Sequence, residues 1–258
     1  MTNRDDAPPP EPGRQAPEAA RHSQGETRQA QGRRPQYMGV PLGHFLELIS
    51  APGPAPGGGA AAALAVALGA GLCAMAARLS SGHLPPGHLL PGHPPPGQSP
   101  AEELAMQAER LRDRAARLSE ADAEAYGRVI EALRLPRGTR AENHARAEDH
   151  ARAEDHAQAE GRRRAVASAL SAAADVPLQV AEIGLQVARI AARLTEDGNP
   201  NLRGDAITAA LLAEAGARSA GVLVEINLAG RPADDRITRL ADVLRDVAES
   251  ALRARRFR

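Results

Sequence analysis

The chain has 258 residues, enough for one domain of ordinary size with some to spare, and 32 acidic residues balance 32 cationic ones, so no global basic field recruits nucleic acid or an anionic membrane. Every one of those cations is arginine, which excludes a Schiff-base lysine, a lysine general base and a Walker lysine. Aromatics make up only 2% (Tyr37, Phe45, Tyr126 and Phe257), and Ala supplies most of the 43% apolar content; that disfavours base-stacking platforms and favours closely packed helices over sheets.

Residues 1–40 are polar and rich in Pro, Gly, Arg and Gln, the composition of a disordered tail, with no targeting signal. A short helix is predicted from Leu42 to Ser50, then a Pro/Gly stretch, then an apolar helix over about residues 59–80. The uncharged run around that helix is weighed against a transmembrane span. Pro52, Pro54 and Pro56 break its first third and the rest is mostly Ala and Gly, so a buried helix of a soluble domain is expected. Cys73 lies in this run and reads as a buried, inert thiol. A reducing cytoplasm suits one lone cysteine.

Residues 82–99 form a Pro/Gly/His-rich insert with a pentapeptide repeat that spaces His83, His88 and His93 evenly. It reads as an exposed polyproline-like loop; the competing reading is a metal-storing loop. A long helix is expected over 100–133, opened by Pro100 and stopped at Leu135-Pro136. Residues 140–164 carry a charged hexapeptide repeat within a helix predicted over about 140–174. Pro177 is expected to restart the chain, and Val180, Ile183, Val187, Ile190 and Leu194 then form an apolar stripe. Gly198-Asn199-Pro200-Asn201 is a turn signal. A nearly uncharged helix over 205–228 and an amphipathic one over 232–255 complete the pattern. The fold class is therefore all-α: a helical bundle over 41–256 with two largely buried central helices, 59–80 and 205–228.

Three features could carry chemistry. The inward register of the long helix reads Leu104, Ala108, Leu111, Ala115, Leu118, Asp122, Ala125, Val129, Leu133, placing a carboxylate in a core position. Asp122 is either a satisfied structural group or one whose pKa burial raises into the proton-exchanging range. Tyr126, one turn on, shares that face and reads first as core packing. Gly57, Gly58 and Gly59 precede a helix, where they either connect flexibly or offer backbone amides to a ligand; they form neither a Walker loop nor a dinucleotide fingerprint. Asn199 and Asp205 at a helix entry are ordinarily caps.

Taken in order, Pro56-Gly57-Gly58-Gly59-Ala60, Asp122-Ala123-Glu124-Ala125-Tyr126 with Leu135-Pro136, Val176-Pro177-Leu178, Gly198-Asn199-Pro200-Asn201 with Gly204-Asp205, and Ile226-Asn227-Leu228 resemble the cyclodeaminase/cyclohydrolase family. That family holds the cyclodeaminase domain of formiminotransferase-cyclodeaminase and stand-alone methenyltetrahydrofolate cyclohydrolases. The resemblance implies an all-α homodimer acting on a one-carbon tetrahydrofolate without metal or redox cofactor. It would close 5-formimidoyltetrahydrofolate to 5,10-methenyltetrahydrofolate with loss of ammonia, or hydrolyse the methenyl compound to 10-formyltetrahydrofolate. By the same resemblance Asp122 is the general acid/base, and Gly57, Gly58, Gly59, Tyr126, Asn199, Asp205 and Asn227 bind the substrate. Ser81-Gly82-His83, Gly204 and Leu223 depart from the family pattern. They motivate the alternative of a non-catalytic folate-binding or structural helical protein.

Overall fold

A computed structural model describes residues 37–84, 99–136 and 148–256. Most of the expected tail, most of the 82–99 insert and the first part of the 140–164 repeat lie outside these residues. The described residues are helical and contain no strand: α1 (Leu42–Ser50), α2 (Gly58–Arg78), α3 (Pro100–Arg134), α4 (Glu148–Ala173), α5 (Asp175–Asp197), a 3-10 turn (Pro200–Leu202), α6 (Arg203–Asn227) and α7 (Asp235–Arg256).

Local chemistry accounts for the helix entries. Ser99 caps α3 by accepting the Glu102 amide at 3.2 Å, Pro100 occupies the first turn, and Glu102 and Glu103 meet the positive end of the helix dipole. α5 starts at Asp175, two residues before the restart expected at Pro177; a proline inside the first turn is tolerated because its missing N–H would have no helical partner there. Arg236 pins the entry to α7 to two other elements. Its guanidinium donates to Asp175 at 2.6 Å, to the Ser171 carbonyl and hydroxyl at 2.7 and 2.8 Å, and to Asp234.

α2 packs on α3 and α6, and α5 packs on α6 and α7. The two helices expected at the centre are there, and α5 joins them: Val180, Ile183, Val187, Ile190 and Leu194 are all buried. Burying each such side chain contributes about 1.5–3 kcal/mol. Among the described residues three helical stretches, α2 among them, are long and apolar enough to cross a membrane by composition, and the bundle buries a large part of each. Small residues set the spacing. A Cβ on Gly216 would lie 2.6 Å from Val66 Cγ2 and 2.8 Å from the Ala62 carbonyl, so only hydrogen lets α6 approach α2 this closely. Cys73 is fully buried, its S–H directed at the Val187 carbonyl at 3.8 Å, and burial pushes its thiol up to about 12.

Two departures from the sequence reading bear on the site. Leu133, expected to face inward, is 44% exposed; Ala125 and Val129 find Ala173 to pack on, and the last turn of α3 runs past that contact. Residues 37–40, counted with the tail, form a turn laid on α3, where the Met38 amide donates to Glu120 Oε1 at 3.3 Å.

Candidate active site

The Pro/Gly stretch ends at Gly57, and α2 starts on Gly58 with no side chain capping its first amides. This end of α2 is therefore a set of unpaired N–H groups at the positive end of a helix dipole. α3 crosses it at Asp122 and the C-terminal end of α6 closes a third side. Together they enclose a cleft of about 300 Å³, lined by Gly57, Gly58, Gly59, Asp122, Tyr126, Leu223, Ile226 and Asn227, with Pro54 and small residues of the loop, α3 and α4 filling the rest. The volume is at the lower end of the range for small-molecule sites.

Asp122 dominates this cleft. A Cβ on Gly59 would coincide with its carboxyl group, so the carboxyl rests directly on the glycine backbone. It accepts no hydrogen bond from any described residue, and burial raises its pKa above the ordinary carboxylate value. A half-buried carboxyl open to a cleft on one side, with its proton affinity raised above the ordinary, is the kind of group that serves as a general acid or base.

Tyr126 is 45% exposed at the cleft rim, not packed in the core as its register first suggested. Asn227 reaches the cleft as the last residue of α6. Asn199 and Asp205 do not. They sit at the opposite end of α6, and 22 residues at a rise of about 1.5 Å put Asp205 roughly 33 Å from Asn227. Asn199 is occupied by capping: its amide N–H donates to the buried Ser80 hydroxyl at 2.8 Å, Nδ2 donates to the Leu79 carbonyl at 3.2 Å, and Oδ1 accepts the Asn201 amide at 3.0 Å.

One residue escaped the sequence reading. Tyr37 is half-buried and packs edge-on against Phe45, ring centroids 5.7 Å apart. Its phenol pKa is pushed up first by burial, then by the carboxylates of Asp122 and Glu120, so the phenol lies within electrostatic reach of Asp122. A tyrosine just ahead of a helix in a chain this poor in aromatics was the available signal.

Two other hollows lie along α5 and α7. The larger, about 700 Å³, is lined by Arg189, Arg193, Arg253 and four acidic residues. Two ion pairs close on themselves there, Arg189 with Asp246 at 2.9 Å and Arg253 with Glu196 at 2.6 Å, while Nε and Nη2 of Arg193 are buried without a hydrogen-bond partner among the described residues. The Asp122 cleft combines enclosure, free amides and an unpaired carboxyl.

The chain is similar to known proteins along most of its length. A family model described as formiminotransferase-cyclodeaminase matches residues 41–158 and 150–245. A methenyltetrahydrofolate cyclohydrolase from Methylorubrum extorquens is 35% identical over 115 residues, 45% of this chain and 47% of that protein. The match thus spans about half the length of that curated relative. The crystal structure of a formiminotetrahydrofolate cyclodeaminase from Thermotoga maritima superposes with a TM-score of 0.64 at 21% identity, covering 86% of this chain and 97% of that one, and shares its fold.

Proposed function

Because the chain belongs to the formiminotransferase-cyclodeaminase family, we propose that it is an enzyme of folate one-carbon metabolism that makes or opens the ring joining N5 and N10 of a tetrahydrofolate, with Asp122 as general acid/base. The observation that carries this reading is the Asp122 carboxyl: raised in pKa by burial, unpaired, and set at the bottom of the one described cleft that also presents free helix amides.

In the deaminase direction N10 attacks the formimidoyl carbon carried on N5. The N10 proton passes to the Asp122 carboxylate, the same carboxyl returns a proton to the departing nitrogen, and ammonia leaves as the methenyl bridge closes. In the hydrolase direction water adds to the methenyl carbon, Asp122 takes one of the water's protons and delivers it to N5, and the N5–carbon bond breaks as the remaining hydroxyl proton leaves to solvent and the formyl C=O forms on N10. Neither direction changes oxidation state, so the chemistry needs proton transfer and charge placement, without a redox cofactor. The cyclodeaminase reading comes first. The half-length match to a cyclohydrolase favours the second.

Gly57, Gly58 and Gly59 would let the flat pterin lie against backbone, Tyr126 would cover its open edge and Asn227 would hydrogen-bond to it. The protein would work as a homodimer in the cytoplasm. Incubating it with each folate and following methenyl absorbance tests the reading. Formation of the chromophore from 5-formimidoyltetrahydrofolate identifies a cyclodeaminase, and loss of the chromophore faster than in buffer identifies a cyclohydrolase. Neither change would leave the non-catalytic alternative.

A further inference from the structure

The contact between α5 and α7 carries a ladder of ion pairs, and one stretch of it is empty. Glu182 pairs with Arg239, Arg189 with Asp246 at 2.9 Å, and Glu196 with Arg253 at 2.6 Å. The pairs advance together along both helices, which therefore run parallel, and each step is two helical turns, so successive pairs stand roughly 10 Å apart. The last two pairs close the ends of the hollow of about 700 Å³. Between them Arg193 on α5 stands level with Glu249 and Ser250 on α7, and the rung is missing: Arg193 and Glu249 have no ion pair or hydrogen bond among the described residues. Asp197, one turn after Arg193, lines the same hollow and has no ion pair either.

Nε and Nη2 of Arg193 are buried without a hydrogen-bond partner. These two atoms make one edge of the guanidinium, and elsewhere in the molecule that edge takes a carboxylate with two bonds at once. Arg253 holds Glu196 in this way, both bonds at 2.6 Å, and Arg236 holds Asp234 at 2.9 and 2.8 Å. Among the described residues only Arg193 has both atoms of the edge buried and empty. A buried donor without an acceptor destabilises, and more so when it is charged. With the two end pairs closed on themselves, the hollow retains one cation, Arg193, and two anions, Asp197 and Glu249. A simple anion would meet the guanidinium and be repelled by both acids, and a simple cation would leave the guanidinium edge empty. One carboxylate carried together with two cationic groups matches all three.

We propose that this groove binds a basic α-amino acid. Its carboxylate takes Nε and Nη2 of Arg193, its α-ammonium takes Glu249, and its side-chain cation points along α5 to Asp197, a turn of about 5.4 Å that a lysine or arginine side chain spans. Arg193 is half-buried, and a swing of its flexible stem brings the edge out to the ligand, exchanging two empty donors for two charge-assisted bonds. The groove shares no residue with the Asp122 cleft, and the inference stands apart from the folate reading.

Calorimetric titration of the full chain tests it. L-arginine and L-lysine should bind at one site per chain. Agmatine, which lacks the carboxylate, and L-citrulline, which lacks the side-chain charge, should bind at least about tenfold more weakly than L-arginine. Arg193→Met should weaken L-arginine by about ten- to a hundredfold with helicity kept. Glu249→Gln, at an exposed position where folding is not at risk, should weaken it by about fivefold or more. Asp197→Asn should erase the preference for L-arginine over L-citrulline, and Asp122→Asn should leave the affinity unchanged. No binding of either basic amino acid at millimolar concentration, or tighter binding of L-glutamate or inorganic phosphate, would overturn the proposal. So would full affinity in Arg193→Met or Glu249→Gln, or loss of binding in Asp122→Asn, which would move the ligand to the other cleft.

Discussion

The carboxyl group of Asp122 lies where a side chain on Gly59 would have to be. Gly59→Ala therefore drives the carboxyl off the backbone, and turnover of the folate substrate should fall by about tenfold or more, a loss of about 1.4 kcal/mol of transition-state stabilisation. Gly58, one residue earlier, meets nothing within 4 Å. Gly58→Ala should raise stability by about 0.4–1 kcal/mol by narrowing the unfolded ensemble. Thermal melts and steady-state rates on the two variants separate the effects.

Asp122→Asn should cost about 10²–10⁴ in kcat and yet stabilise the protein at neutral pH. The sign follows from burial. The folded-state pKa of Asp122 is raised, so its ionised form is disfavoured in the native state, and the destabilisation sets in as pH rises above the unfolded value of about 3.9, growing up to the folded pKa. The melting temperatures of wild type and variant should differ at pH 7 and converge near pH 3.5. A variant less stable than wild type at pH 7 would contradict the burial argument.

The Asp122 carboxylate is one of the causes that raise the Tyr37 phenol pKa. Asp122→Asn, made in a Tyr126→Phe background so that Tyr37 is the sole phenol, should therefore lower the midpoint of the phenolate absorbance titration. An unmoved titration would place Tyr37 out of reach of Asp122.

Gly216→Ala should destabilise by about 1–3 kcal/mol, because the new methyl would lie 2.6 Å from Val66 and 2.8 Å from a carbonyl oxygen that cannot give way. Urea denaturation with an unchanged m-value would assign the loss to packing.

Arg236→Met should lower the melting temperature and flatten its acid dependence. Arg236 holds the Asp234 carboxyl down at about 2, so the stability this pair contributes is present above the ordinary carboxylate pKa of about 3.9 and is lost as pH falls through about 2. Melts between pH 2 and pH 5 should show the wild type falling more steeply.

Helix positions were readable from periodicity, because apolar spacing and proline or glycine punctuation are local signals. Asp122 was readable for the same reason, as a break in an apolar register, and the glycines ahead of α2 stood out by composition. Placement was not. Gly57–Gly59 and Asn227 meet because α2 and α6 run antiparallel, and nothing local to either segment tells which ends coincide. Asn199 caps the turn in which it sits and Asp205 stands in the first turn of α6, at the end of the bundle away from the cleft. Leu133 continued the inward spacing past the point where α3 still has a neighbour. Tyr37 was hidden by the polar tail preceding it, since its position depends on the turn that brings Met38 to Glu120.

Cys73 gives the molecule a single internal clock. With the thiol fully enclosed and its pKa pushed up to about 12, a disulfide reagent reacts only with molecules whose α2–α5 contact has opened. Because the chain has one cysteine, every modified thiol counts one such opening. The labelling rate at low reagent concentration then reads the population of the open form. A folate that binds only the closed bundle must slow that rate by 1 + [L]/Kd, which gives an affinity for any candidate ligand without waiting for turnover.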